Sequence, residues 1–185
     1  TGEIDRSLGR ELGLGDEGGS RVTSDGALHD ARDTVYLGDW MNGSSVHELN
    51  RVDGTHVRTF DTRGGGMLEV TVDEAYDRVY ASQGWGMDVI DLQTGEVTHS
   101  RRTGFMTRRP AIDTVYDLVY VPSMTDGKVR VFDRETMEPV GAFRVGYGPR
   151  DAYITPDGQR LLTSSAWGMY TWNTQDLARR FGRGP

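Results

Sequence analysis

The chain has 185 residues, 36% of them hydrophobic, and a formal charge of −7 from 21 basic and 28 acidic side chains. An acidic balance of this size excludes a general nucleic-acid surface, because phosphate contacts need a net basic face. No apolar run approaches the roughly 20 residues a membrane helix requires, and the absence of cysteine excludes disulfides, zinc thiolates and thiol nucleophiles.

Along the chain one strand pattern recurs, as D-T-V-Y-L (33–37), D-R-V-Y-A (77–81), D-L-V-Y-V (117–121) and Q-R-L-L-T (159–163). Its anchor residues Tyr36, Tyr80, Tyr120 and Leu162 stand 44, 40 and 42 apart. After each anchor comes a further strand and a polar turn: V-H-E-L-N-R-V-D-G-T (46–55), M-D-V-I-D-L-Q-T-G-E (87–96), V-R-V-F-D-R-E-T-M-E (129–138) and M-Y-T-W-N-T-Q-D-L (169–177). The turn markers Asp53, Thr94, Thr136 and Asp176 stand 41, 42 and 40 apart, so two independent ladders share one period. Outer strands follow, as in V-R-T-F (57–60), V-G-A-F-R-V (140–145) and L-A-R-R-F-G (177–182). Alternating apolar residues punctuated by Gly, Asp and Asn are what antiparallel strands joined by tight turns require.

A four-stranded unit of this length is the size of one β-propeller blade. The predicted fold is therefore all-β, a single propeller over 1–185 with four-stranded antiparallel blades at 20–62, 67–105, 110–146 and 150–183. The opening T-G-E-I-D-R-S-L-G aligns with T-G-E at 94–96, which makes residues 1–14 the outer strand of an incomplete blade. Four blades either close a small ring or form an arc, a partial propeller completed by another polypeptide or a second copy.

T-P-D-G-Q-R-L-L-T (155–163), together with V-Y-V-P-S and G-K-V-R-V-F-D in the third unit, resembles the YVTN-type repeat of bacterial propellers. The resemblance implies architecture more than chemistry, since related propellers serve as binding proteins, lactonases, lyases and quinoprotein subunits. It also favours an extracytoplasmic location. The first unit departs from the pattern, with a longer loop at 41–45 and a degenerate turn at Asp53 and Gly54.

Propeller topology puts the loops between blades on the same side as the turns joining second and third strands. One face thereby gathers Trp40, Trp85, Trp167, Arg21, Arg63, Arg108, Arg109 and Arg150. The repeated W-G-M (85–87 and 167–169) reads either as wedge filling between sheets or as a pocket floor. In the second case Trp40, Trp85 and Trp167 stack on an apolar or cationic ligand while Arg63, Arg109 and Arg150 clamp carboxylates or phosphates, so that a small anionic or aromatic ligand is expected.

The four histidines, at 29, 47, 56 and 99, show no metal-binding spacing and are expected to be structural and solvent-facing. His29, near Asp25, Asp30 and Asp33, is the nearest the chain offers to an acid/base group or a site for a divalent cation such as calcium or magnesium, although aspartates in turns normally cap amides. The G-G-G at 64–66 lacks the lysine of a phosphate cradle and is expected at a tight crossing between blades. Asn42-Gly43-Ser44 matches the glycosylation sequon. These residues identify no cofactor. They favour a non-catalytic or accessory binding module, and the alternative is a cation-dependent propeller enzyme of the lyase or lactonase type.

Overall fold

Turn chemistry divides the chain into its strands. Asp91 accepts hydrogen bonds from the amides of Gln93 (2.9 Å) and Thr94 (2.7 Å) and from the Thr94 hydroxyl (3.1 Å). Those donors, the Thr94 amide first, hold its carboxyl below the usual carboxylate range. Asp133 binds Thr136 in the same way, with its amide at 2.6 Å, and Asn50 accepts from Val52 and Asp53. Four residues after each head the backbone turns through positive φ, at Gly54 (77°), Gly95 (79°) and Met137 (56°).

The computed structural model describes residues 23–40, 44–66 and 69–183. The strand expected at residues 1–14, Arg21 and the Asn42 sequon lie outside them. The fold is all-β, with four antiparallel sheets among the described residues. The first contains β1 (Thr23–His29), β2 (Thr34–Asp39), β3 (Ser45–Asn50) and β4 (His56–Asp61). The second contains β5 (Glu69–Asp73), β6 (Arg78–Ser82), β7 (Gly86–Asp91) and β8 (Val97–Arg102). Strands β9 (Ala111–Asp113), β10 (Leu118–Ser123), β11 (Lys128–Asp133) and β12 (Pro139–Arg144) form the third. The fourth has only β13 (Ala152–Ile154), β14 (Arg160–Ser165) and β15 (Gly168–Asn173). Each sheet is a simple meander, the form of a propeller blade.

Two compact units are formed, one by residues up to Gln83 with Asp88–Ser100, the other by Gly84–Met87 with the residues from Arg101 on. In the first unit Tyr36, Val46 and Phe60 of the first sheet pack on Val70, Val79, Ala81, Ile90 and Leu92 of the second. In the other unit Leu118, Tyr120, Val131 and Phe143 of the third sheet pack on Ala152 and Leu161 of the fourth. The anchors Tyr36, Tyr80 and Tyr120 are all 0% exposed, so the tyrosine ladder read from the sequence is a ladder of core residues.

The fourth sheet departs from expectation. L-A-R-R-F-G is not an outer strand: Thr174–Arg180 form a helix, α1, capped by the Asn173 side chain, which accepts from the Asp176 amide at 3.0 Å. Asn173 stands where Asp91 and Asp133 head their turns, but the sequence that follows, T-Q-D-L-A-R-R, is rich in helix formers and continues as a helix. Leu177 and Ala178 bury against the third and fourth sheets.

Burial above all pushes the Tyr36 phenol, which donates to Glu48 Oε1 at 3.0 Å, up to about 12. An unfolded tyrosine ionises near pH 10. This contribution is therefore complete below pH 10 and is lost as pH rises from there toward 12, by roughly 2 kcal/mol. Thermal melts between pH 9 and 12 are expected to show the melting temperature falling from about pH 10, and less steeply in Tyr36→Phe.

Candidate functional site

In the second unit the two classes of loop meet as the topology requires. The Met106 amide donates to Gly84 O (2.6 Å), Met124 to Met106 O (3.1 Å) and Ala166 to Tyr147 O (2.9 Å), so the segment after β8 is bonded to the β6–β7 and β10–β11 turns and the segment after β12 to the β14–β15 turn. The Ser123 and Thr125 hydroxyls both donate to Phe105 O. These bonds fix a loop surface on which large aromatic residues stand out.

Trp85 is 60% exposed and its ring lies 4.6 Å from that of Phe105, with the Arg102 guanidinium 5.7 Å above it. Trp167, 74% exposed, borders a cleft of 370 Å³ with Tyr147, Arg144, Gly146, Gly127 and Asp126. Two glycines permit that cleft. A Cβ on Gly127 (φ 69°) would sit 2.7 Å from Gly146 O, and one on Gly146 (φ 96°) would sit 2.9 Å from Trp167 Cε3. The Asp126 carboxylate is engaged by Arg130 at 2.6 Å, and Arg144 is exposed. An exposed indole and phenol beside a guanidinium can stack a planar group and pair with an attached carboxylate or phosphate. A second basic groove, of 440 Å³, has Arg101, Arg102 and Arg130 over Phe132, Val140 and Ala142.

Trp40, Trp85 and Trp167 are thus exposed, and the buried tyrosines occupy the interior. Of the two repeated methionines, Met87 is buried and fills a gap, whereas Met169 is exposed. Arg109 and Arg150 are exposed on the loops of the second unit. The sequence reading missed Phe105, Tyr147, Arg102 and Arg144. Their signal was present: R-T-G-F (102–105) and R-V-G-Y (144–147) are one motif 42 residues apart.

In the first unit Arg63 is exposed, but its guanidinium donates to Val97 O at 3.0 Å and its amide to Asp88 Oδ2 at 2.6 Å. Asp88 is 2% exposed and also accepts from Gln83 Nε2 (2.9 Å) and Ser100 Oγ (2.5 Å). Within G-G-G, a Cβ on Gly64 would overlap the end of the Gln83 side chain and force it to shift.

The histidines are less exposed than expected. His29 and His47 are each 2% exposed. His29 Nε2 lies 3.3 Å from Asp77 Oδ1, and His47 Nδ1 lies 2.9 Å from Thr59 Oγ1. His47 is buried because β3 is covered on both faces. The three aspartates near His29 each bind protein groups. Asp25 accepts from the Val70 amide (3.1 Å), while Asp30 and Asp33 each hold Arg51 at 2.5 Å. Among the described residues no three His, Asp or Glu side chains are placed to hold a metal ion, and no helix is long and apolar enough to cross a membrane.

No family model matches the chain, and no curated protein matches it. Solved structures do resemble it. Hydrazine synthase of Kuenenia stuttgartiensis superposes with a TM-score of 0.75 at 16% identity, over 83% of this chain and 46% of that one. The computationally designed proteins Ika8 (TM-score 0.68, 14% identity, 82% of this chain and 46% of that one) and Ika4 (0.69, 13%, 92% and 99%) are also similar. The chain thus spans about half the length of the first two and nearly all of the third. At these identities the likeness establishes a propeller-like all-β fold.

Proposed function

We propose that this chain is a β-propeller binding module of the YVTN type, non-catalytic or accessory, that receives a small aromatic anion or an acidic partner on its loop surface. The observation that carries the reading is the repeated grouping of Arg102 with Trp85 and Phe105, and of Arg144 with Trp167 and Tyr147. Exposed aromatic residues beside arginine have the composition of interface hot spots. Holding them on loops braced by backbone hydrogen bonds lowers the ordering cost of binding. The YVTN resemblance supports an extracytoplasmic site of action, and the propeller-like fold supports completion of the blade set by another polypeptide.

Phenyl phosphate is a suitable probe, with benzyl alcohol as its uncharged counterpart. Titration of phenyl phosphate is expected to quench tryptophan fluorescence saturably, and benzyl alcohol to do so far more weakly. Trp167→Ala and Arg144→Ala should each weaken binding at least about tenfold with the melting curve unchanged. Arg109→Ala combined with Arg150→Ala should weaken capture of an acidic peptide without loss of folding. Equal response to both probes, or variants that bind as the parent does, refutes the reading.

A further inference from the structure

Charge is unevenly divided along the chain. The second unit, Gly84–Met87 with Arg101–Pro185, carries 13 basic and 9 acidic side chains, a formal balance of +4 within a protein of −7. Both aromatic groupings of the loop surface belong to this unit, as R-T-G-F (102–105) with Trp85 and as R-V-G-Y (144–147) with Trp167. Arg102 and Arg144 are exposed, and neither has a carboxylate partner among the described residues. Each grouping therefore presents one stacking surface and one uncommitted guanidinium.

The β10–β11 turn joins the two groupings. On one side the Thr125 hydroxyl donates to Phe105 O at 3.1 Å, and on the other the Val145 amide donates to Gly127 O at 3.0 Å. Thr125, Asp126 and Gly127 also form a wall of the Trp167 cleft. A turn bonded to both segments holds the two platforms at a fixed offset. They flank one sheet, and sheets stack about 10 Å apart, the reach of roughly three to four residues of extended peptide at about 3.3 Å each.

We propose that the two groupings are subsites of one site, and that its occupant is an extended acidic peptide segment of a partner protein. The segment carries two aromatic residues, each beside a carboxylate, about three to four positions apart. The assignment rests on the binding function proposed above and names its ligand. One aromatic ring stacks beside Trp85 and Phe105 and the other beside Trp167 and Tyr147, while the adjoining carboxylates pair with Arg102 and Arg144. The ground between the platforms selects a peptide over a strand of nucleic acid. Asp126 stands there with its carboxylate 30% exposed. It repels a phosphodiester crossing it, whereas a peptide presents neutral amides that can donate to it. Once the first subsite is filled, filling the second is intramolecular, so a ligand bearing both groups binds about 10²–10⁴-fold tighter.

Fluorescence titration of the whole chain with synthetic peptides tests it. One peptide carries a single Asp-Phe pair, and the others carry two such pairs separated by none to about eight Gly or Ser residues. With its phenylalanines about three or four positions apart, the two-pair peptide is expected to bind at least about tenfold tighter than the single pair, and the gain should fall at shorter and longer spacings. Trp85→Ala and Trp167→Ala should each bring the ratio of the two affinities down to about one, with melting curves unchanged. A gain of only about twofold at every spacing, the statistical factor for independent sites, overturns the inference and leaves the binding function standing. Tighter binding of single-stranded oligothymidylate than of the two-pair peptide overturns it as well, and assigns the surface to nucleic acid. If neither the single pair nor phenyl phosphate binds, the binding function and this inference fall together.

Discussion

Replacing Asp88 by alanine is expected to lower the unfolding free energy by about 3 kcal/mol or more. The carboxylate is almost wholly buried and receives three donors, the Arg63 amide, Gln83 Nε2 and Ser100 Oγ. Alanine leaves all three without this acceptor; Gln83 is buried whereas Arg63 and Ser100 lie nearer water, and an unmet buried donor costs about 1–3 kcal/mol. Asparagine keeps one acceptor oxygen and turns an amide toward the remaining donors, so Asp88→Asn should lose less, about 1–2 kcal/mol. Urea unfolding followed by fluorescence measures the difference, and hydrogen exchange adds a local readout. The Arg63 amide should exchange faster in both variants, because Asp88 is what binds the segment after β4 to the β6–β7 turn. A loss below about 0.5 kcal/mol, the range of ordinary surface substitutions, would show that the three bonds do not act as a brace.

That brace explains why parts of this molecule were legible in its sequence and others were not. The anchor ladder was readable because a blade must bury one large residue per repeat at a fixed register, and Tyr36, Tyr80 and Tyr120 do so. The turns were readable because an Asp or Asn accepting amides two and three residues on has a local signature. Asp88 was invisible: it lies inside a β-strand pattern, and its partners come from three separate segments. The helix at Thr174–Arg180 was misread for a related reason. Asn173 heads a turn and caps a helix with the same hydrogen bond, and only the helix-forming residues after it separate the two outcomes.

At the loop surface, topology predicted which segments meet, and the hydrogen bonds joining Gly84, Met106 and Met124, and Tyr147 with Ala166, follow that scheme. Side-chain placement was harder to read. A repeated tryptophan is compatible with wedge filling or with display, and the choice depends on whether another residue already fills the wedge. Here Tyr36, Tyr80 and Tyr120 are the large residues that are buried, and Trp85 and Trp167 stand at the surface. Arg63 was grouped with the ligand-facing arginines by its loop; one of its guanidinium donors is bonded to the Val97 carbonyl and the side chain is exposed. A backbone acceptor of that kind has no sequence signature.

The largest loss from a single side chain is expected at Tyr120. Its ring is fully buried, stands edge-on to Phe143 at 6.4 Å, and belongs to the cluster that joins the third sheet to the fourth and to α1. Tyr120→Ala opens a cavity among β-strands that cannot collapse without breaking register, and should cost about 3–5 kcal/mol. The hydroxyl contributes little of this. Burial, with the Asp113 carboxylate after it, raises the phenol's ionisation well above its ordinary value, as expected for a hydroxyl that stays neutral in the interior. Tyr120→Phe should therefore change stability by less than about 1 kcal/mol. Leu162 provides the internal control: it holds the same anchor position in the fourth sheet but is only half-buried. Leu162→Ala should cost less than half as much as Tyr120→Ala. Equal losses at the two positions would mean that the anchor stabilises through its own sheet alone, and that packing between sheets adds nothing to it.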